Sequence, residues 1–221
     1  YIKSKFTIQS LLKKSGFFYI RYEDFRSYNH LIKFENNRII KIKIRKIHGS
    51  FIDKIRLLNA PMISSVLNKI DFKISFNKSI LKDLPFRNQL IKNENNLKIY
   101  NDSKCTNLEN AVMKINFLDN NKILILGGNP KIHSKKLMIN NSLILIFGNH
   151  STTFINNLIF NNSKYFIFKN LIDVIQFIKI VNFDYKFKRI LFSPGGESFD
   201  QFKDFRHRGR AFNTFIKRLK F

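Results

Sequence analysis

The chain has no tryptophan, one cysteine, four prolines and eight glycines in 221 residues. The lone Cys105 excludes an internal disulfide and suits a reducing compartment. No apolar run approaches the roughly 18 residues that a membrane-spanning helix needs, and Tyr1-Ile2-Lys3-Ser4-Lys5 lacks a signal-peptide layout, so a cytoplasmic protein is expected. None of the glycines, at 16, 49, 127, 128, 148, 195, 196 and 209, precedes a lysine, which excludes a Gly-Lys-Ser/Thr phosphate loop within these residues. His30, His48, His133, His150 and His207 lack metal-ligand spacing and read as surface positions. No histidine or carboxylate accompanies Cys105 as a catalytic partner, and a neutral, buried thiol is expected there. Acidic residues are few, 15 against 40 Lys and Arg, for a formal charge of +25.

Such a charge ordinarily points to nucleic acid or an anionic surface. The residues in excess are Lys, Asn, Ile and Phe, with 25 Phe, and the basic residues are spread along the chain. That pattern suits an AT-rich genome better than a selected binding face, which needs its charge gathered on one side. The Asn-rich stretches at 93–96 and 156–162 read the same way, and no internal repeat is evident. A hydrophobic content of 44% is enough for a core. The first residue is Tyr rather than Met, so the chain reads as a piece of a longer product.

Residues 17 to 47 hold three short β-rich runs, 17–22, 30–34 and 38–47, which predict a small antiparallel meander. A helix is predicted over 52–69, with Ile55, Leu58, Met62, Val66 and Leu67 at helical spacing and Pro61 starting or kinking part of it. Residues 70–86 read as a connection. From about residue 88 the pattern becomes regular β/α alternation, with strands predicted at 98–101, 122–126, 143–147, 165–168 and 189–192. Leu171, Val174, Ile175, Ile178 and Val181 form one helical stripe. The fold expected is α/β, a Rossmann-like and mostly parallel sheet.

Three strand ends carry chemistry. Tyr100-Asn101-Asp102-Ser103-Lys104-Cys105-Thr106-Asn107 precedes a helix predicted over 108–115, where polar groups and a cation could grip an anion; the plain alternative is a helix cap on Thr106 or Asn107. Gly127-Gly128-Asn129-Pro130-Lys131 offers a side-chain-free turn with a lysine beyond it. Ser193-Pro194-Gly195-Gly196-Glu197-Ser198-Phe199 reads as a turn leading into an amphipathic helix from Asp200 onward. The basic residues of that terminal helix, Arg206, Arg208, Arg210, Lys217, Arg218 and Lys220, are expected on a solvated face behind Phe202, Phe205, Phe212, Phe215 and Leu219.

Four ordered motifs, Leu84-Pro85-Phe86-Arg87, Asn101-Asp102-Ser103-Lys104-Cys105-Thr106-Asn107, Gly127-Gly128-Asn129-Pro130-Lys131 and Ser193-Pro194 through Arg208-Gly209, resemble those of the Mur ligase family, in its D-glutamate-adding branch. The resemblance covers about residues 47 to 221. It implies residues 1–81 as the C-terminal remnant of a central ATPase domain, 82–87 as linker and 88–221 as the C-terminal ligase domain. The implied activity is ATP-driven amide formation in peptidoglycan synthesis. D-glutamate and UDP-N-acetylmuramoyl-L-alanine are the implied substrates, with ATP and Mg²⁺ held mainly by the missing central domain. By the same resemblance, Lys104, Thr106, Lys131, Ser198, Phe199 and Phe205 line the D-glutamate site, and Asn59, Arg87 and Asp102 serve ATP. No metal ligand or catalytic residue is expected here, and the chain alone is expected not to turn over.

The chain departs from that family pattern in two places. Glu197 stands where family members carry small uncharged residues, and Ile55-Arg56 stands where His-Asn normally precedes the Asn59 position. The alternative reading is a non-catalytic basic binding module, either a decayed ligase remnant or a nucleic-acid binder. No membrane partner is expected.

Overall fold

A computed structural model describes residues 6–11, 16–33, 38–42, 60–69, 84–131, 135–185 and 187–219. The chain divides into two compact units, Tyr1–Lys82 and Asp83–Phe221.

In the first unit, β1 (Phe18–Arg21) leads into α1 (Tyr22–Tyr28) and a 3-10 turn (Asn29–Leu31), and the chain returns as β2 (Ile39–Ile42). The two strands pair in parallel, Phe18 with Ile39 through Arg21 with Ile42. The expected antiparallel meander is therefore corrected: a helix between the strands carries the chain back to the same end, as parallel pairing requires. Gln9 fastens this crossover, donating from Nε2 to Leu31 O at 2.9 Å and accepting from Lys33 N at 2.8 Å. Helix α2 (Ala60–Lys69) has Pro61 in its first turn, where a missing N–H leaves no intrahelical bond unmade. Residues 52–59, the rest of the expected helix, lie outside the described residues, as does Asn59.

The second unit is built on β3 (Gln89–Glu94), β4 (Leu97–Asn101), β5 (Lys122–Gly127), β6 (Asn129–Pro130), β8 (Ser142–Phe147), β10 (Lys164–Phe168) and β11 (Arg189–Glu197). Their order is β10-β8-β5-β11-β4-β3, with β6 added on β11. The five predicted strands are all present and mutually parallel where they pair. The antiparallel β3 was not predicted. It joins β4 through Asn95-Asn96, both at positive φ, which suits a two-residue hairpin turn.

Two short strands, β7 (Leu137–Asn140) and β9 (Leu158–Asn161), pair in parallel just ahead of β8 and β10. Helices α3 (Leu108–Asn116), α4 (Ser151–Asn156), α5 (Leu171–Tyr185) and α6 (Phe205–Lys217) complete the unit. The predicted stripe on α5 is buried at Leu171, Val174, Ile175 and Ile178 and packs on Ile123, Ile125, Leu145 and Phe192 of the sheet. Phe212 of α6 stacks on Phe192, with ring centroids 4.2 Å apart. Central strands covered on both faces read as unbroken apolar runs, which is why Ile123–Leu126 and Ile144–Phe147 are fully buried.

Two local expectations change. Ser193-Pro194-Gly195-Gly196 does not end the last strand, because β11 continues through Glu197. A register shift between Phe192 and Gly195, with Gly195 at φ +69°, bends the strand and lets Gly195 still pair with Gly127. The terminal helix starts at Phe205 rather than Asp200. Asp204 is its cap and accepts from His207 N at 2.7 Å, which holds the Asp204 carboxyl below its ordinary range.

Candidate functional site

Strand order brings the chemistry together. β11 lies between β4 and β5, so the three loops singled out from sequence leave neighbouring carboxyl ends of one parallel sheet. This is where open α/β sheets hold ligands.

Backbone bonds tie the loops to one another. Asp102 N donates to Phe192 O at 2.7 Å and Gly195 N to Cys105 O at 3.0 Å. The glycine turns meet backbone to backbone. A Cβ on Gly128 would lie 2.1 Å from Glu197 O, and one on Gly196 would lie 2.9 Å from Gly127 O. Only glycine permits this approach, and at Gly128 φ is also +93°.

Arg208 fastens all three loops. Its side chain is fully buried, which corrects the solvated position expected from sequence. Nε donates to Ser103 Oγ at 3.2 Å, Nη2 to Ser103 O at 2.9 Å, both terminal nitrogens to Gly196 O at 3.0 Å, and Nη1 to Gly127 O at 3.4 Å. Five N–H donors in one plane suit an arginine to such a set of carbonyls. Burial pulls its pKa down to about 10, so the charge is kept at neutral pH. Arg206, Arg210, Lys217 and Arg218 are exposed, as expected. What sets Arg208 apart is its place four residues after the cap, on the face that carries Phe212 and Ile216. That phase was the signal available in the sequence.

The neighbouring Gly209 has a packing reason. A Cβ there would stand 2.3 Å from the Phe86 ring, while Phe86 itself takes φ +62°. Phe86 O accepts from Lys104 N at 3.0 Å, so the Leu-Pro-Phe-Arg segment is tied to the first ligand loop.

Asp102 is 2% exposed. Its Oδ1 accepts from Asn88 N at 3.2 Å, and its Oδ2 from Ser193 Oγ at 2.8 Å and Lys114 Nζ at 2.5 Å. The carboxylate thus joins β4, β11 and α3. Asn107, one of the two caps weighed, is the one used and accepts from Asn110 N at 3.0 Å. The Cys105 thiol is buried, and burial pushes its pKa up, in line with the neutral role expected.

The other expected site residues stand around this cluster. Lys104 Nζ lies 3.9 Å from the Phe205 ring centroid. Ser198 is buried, Thr106 is half-buried, and Phe199 is 74% exposed. Lys131 is exposed, with Nζ 3.8 Å from Glu197 Oε1. Arg87 is exposed on the loop ahead of β3. Asp200, which sequence reading did not single out, has both oxygens buried without a well-formed hydrogen bond, and burial pushes its pKa up against weaker help from nearby amides. Among the described residues, no three His, Cys, Asp or Glu gather as a metal site, and no helix is long and apolar enough to cross a membrane.

The sheet order, its antiparallel edge strand and the polar loops at neighbouring strand ends define a Rossmann-like α/β domain. Among solved structures, the chain is similar to the MurF ligase from Thermotoga maritima in complex with ADP, with a TM-score of 0.52 at 10% identity over 89% of this chain and 52% of that one. Among curated sequences it is 30% identical over 190 residues to a UDP-N-acetylmuramoylalanine--D-glutamate ligase from Lactobacillus gasseri, covering 84% of this chain and 41% of that protein. It is 32% identical over 161 residues to the protein of that name from Rickettsia felis, covering 71% of this chain and 36% of that protein. The match to the protein of that name from Thermosipho melanesiensis runs over 100% of this chain and 53% of that protein at 26% identity. No protein-family model matches the chain. The chain belongs to the Mur ligase family and corresponds to its C-terminal portion. The matches cover 36% to 53% of the length of these curated relatives.

Proposed function

We propose that this chain is the amino-acid-binding portion of a cytoplasmic, ATP-dependent ligase that joins D-glutamate to UDP-N-acetylmuramoyl-L-alanine in peptidoglycan synthesis. The observation that carries this reading is the single polar cluster at the ends of β4, β5 and β11, fastened by Arg208, with cationic and hydroxyl side chains on its rim.

In this reading Lys131 and Lys104 answer the carboxylate charge of D-glutamate, Thr106 and Ser198 donate hydrogen bonds, and Phe199 and Phe205 wall the ligand. Arg87 pairs with a phosphate of the nucleotide, and Asn59 belongs to the same side. Asp102 is assigned to a ribose hydroxyl; its carboxylate is 2% exposed, with Asn88 N on Oδ1, so this contact requires the covering loop to open. ATP with Mg²⁺, when bound, supplies the phosphoryl group that activates the acceptor carboxylate, and its phosphates rest mainly on a central domain. Residues 1–81 are the end of that domain, 82–87 a linker and 88–221 the closing domain. The chain by itself does not turn over.

A protein-observed NMR titration tests the reading. D-glutamate should shift amides of 102–107, 127–131 and 195–205 more than L-glutamate does, and Lys104→Ala and Lys131→Ala should each weaken the response. Tight oligonucleotide binding at physiological salt with no response to D-glutamate would replace this reading with that of a basic binding module.

A further inference from the structure

Lys104 and Lys131 are not equivalent cations. Lys104 Nζ lies over the Phe205 ring, and among the described residues no carboxylate stands within ion-pair distance of it. Lys131 instead faces Glu197, 3.8 Å away, with both side chains about half exposed.

The backbone fixes this second pairing. β6 and β11 run antiparallel with Gly196 opposite Pro130 and Glu197 opposite Asn129. Extending that register by one residue puts Lys131 diagonal to Glu197, within reach of two long side chains. The strands cannot slide apart, because Gly128 and Gly196 are in backbone contact and Arg208 holds the Gly196 and Gly127 carbonyls. Separating the pair therefore takes rotation of the Glu197 or Lys131 side chain rather than movement of the strands.

We propose that Glu197 is a specificity-determining residue that competes with the substrate's side-chain carboxylate for Lys131. The inference rests on the reading of this cluster as an acidic amino-acid site. An incoming carboxylate must displace Glu197 from Lys131 and then remain beside it as a like charge. An exposed ion pair contributes about 0.2–1 kcal/mol, so displacement is possible and its effect on affinity is modest. Glu197 thereby narrows the margin by which the site prefers an acidic amino acid over its uncharged amide.

The test compares the 221-residue chain with Glu197→Gln, Lys131→Met and the double variant, titrated with D-glutamate and with D-glutamine and followed by amide shifts. Glu197→Gln should tighten D-glutamate binding by about two- to fivefold, leave D-glutamine unchanged, and lose its gain when Lys131 is also replaced. Unchanged or weaker D-glutamate binding in Glu197→Gln overturns the inference while the site reading stands. A gain that persists without Lys131 also overturns it, because Glu197 would then act by general repulsion alone. If D-glutamate binds none of the four folded proteins, the site reading falls and the inference falls with it.

Discussion

The two ends of the same parallel sheet are built by different means. At the carboxyl ends of β4, β5 and β11, polar groups are buried and satisfy one another: Asn101, Asp102, Ser103, Ser193 and Arg208 are all at most 2% exposed. At the amino ends, the chain enters β5, β8 and β10 through Asn121, Asn141 and Asn162, at φ 60°, 49° and 46°. These asparagines face solvent, and Asn162 Nδ2 donates to Asn141 Oδ1 at 2.8 Å. Asparagine tolerates the left-handed region better than other side chains, so the conformation of each turn is favoured locally even though bonds such as Asn162–Asn141 and Lys188 N to Asn121 O join it to neighbouring segments. The amino end is a row of locally favoured turns joined by single bonds, whereas the carboxyl end is one connected buried cluster. A cluster of that kind is sensitive to any single loss, and that sensitivity accompanies preorganisation for a ligand.

The contrast can be broken most severely at Arg208. Arg208→Met should destabilise the chain by about 3–5 kcal/mol, since it strands buried carbonyls of Ser103 and Gly196, and urea denaturation would show it. Gly209→Ala should cost about 1–3 kcal/mol because its methyl meets the Phe86 ring, and a companion Phe86→Ala should recover part of that loss. The amino end should respond less: Asn162→Ala is expected to cost about 1 kcal/mol, from the left-handed turn and the lost bond, and Asn162→Gly less.

The smallest expected effect concerns Asp200 and has a sign set by pH. Its folded pKa is raised by burial, so the folded state binds more protons than the unfolded state just above the ordinary carboxylate value. Stability from this group is therefore present in acid and lost as pH rises through the folded pKa. Asp200→Asn should raise the melting temperature slightly at pH 7 and leave it nearly unchanged near pH 3. A fall at pH 7 would mean that the carboxylate has a partner worth more than its burial costs.

Much of the second unit was legible because its signals are local. Five apolar runs of four or five residues, separated by helical stripes, give the parallel strands within a residue or so at most boundaries. The hairpin at Asn95-Asn96 was missed because β3, Gln89–Glu94, alternates poorly and carries polar residues at an edge. Asparagine is abundant along the whole chain and reads as a compositional bias, yet Asn95, Asn96, Asn121, Asn141 and Asn162 all occupy positive-φ turns. Composition hid a positional signal there. In the site, the motifs named the loops correctly in order, and the basic character of the terminal helix disguised the one arginine that turns inward.

The sequence by itself determined the β/α alternation, the positions of the three strand-end loops and the glycines that let them approach, because each follows from periodicity and backbone sterics within a few residues. Only the tertiary structure decided that β11 inserts between β4 and β5, that β1 and β2 run parallel, that Arg208 is a buried clamp and that Glu197 faces Lys131. Those outcomes depend on pairings across tens of residues, where burial and hydrogen-bond satisfaction of the whole assembly outweigh the preference of any one segment.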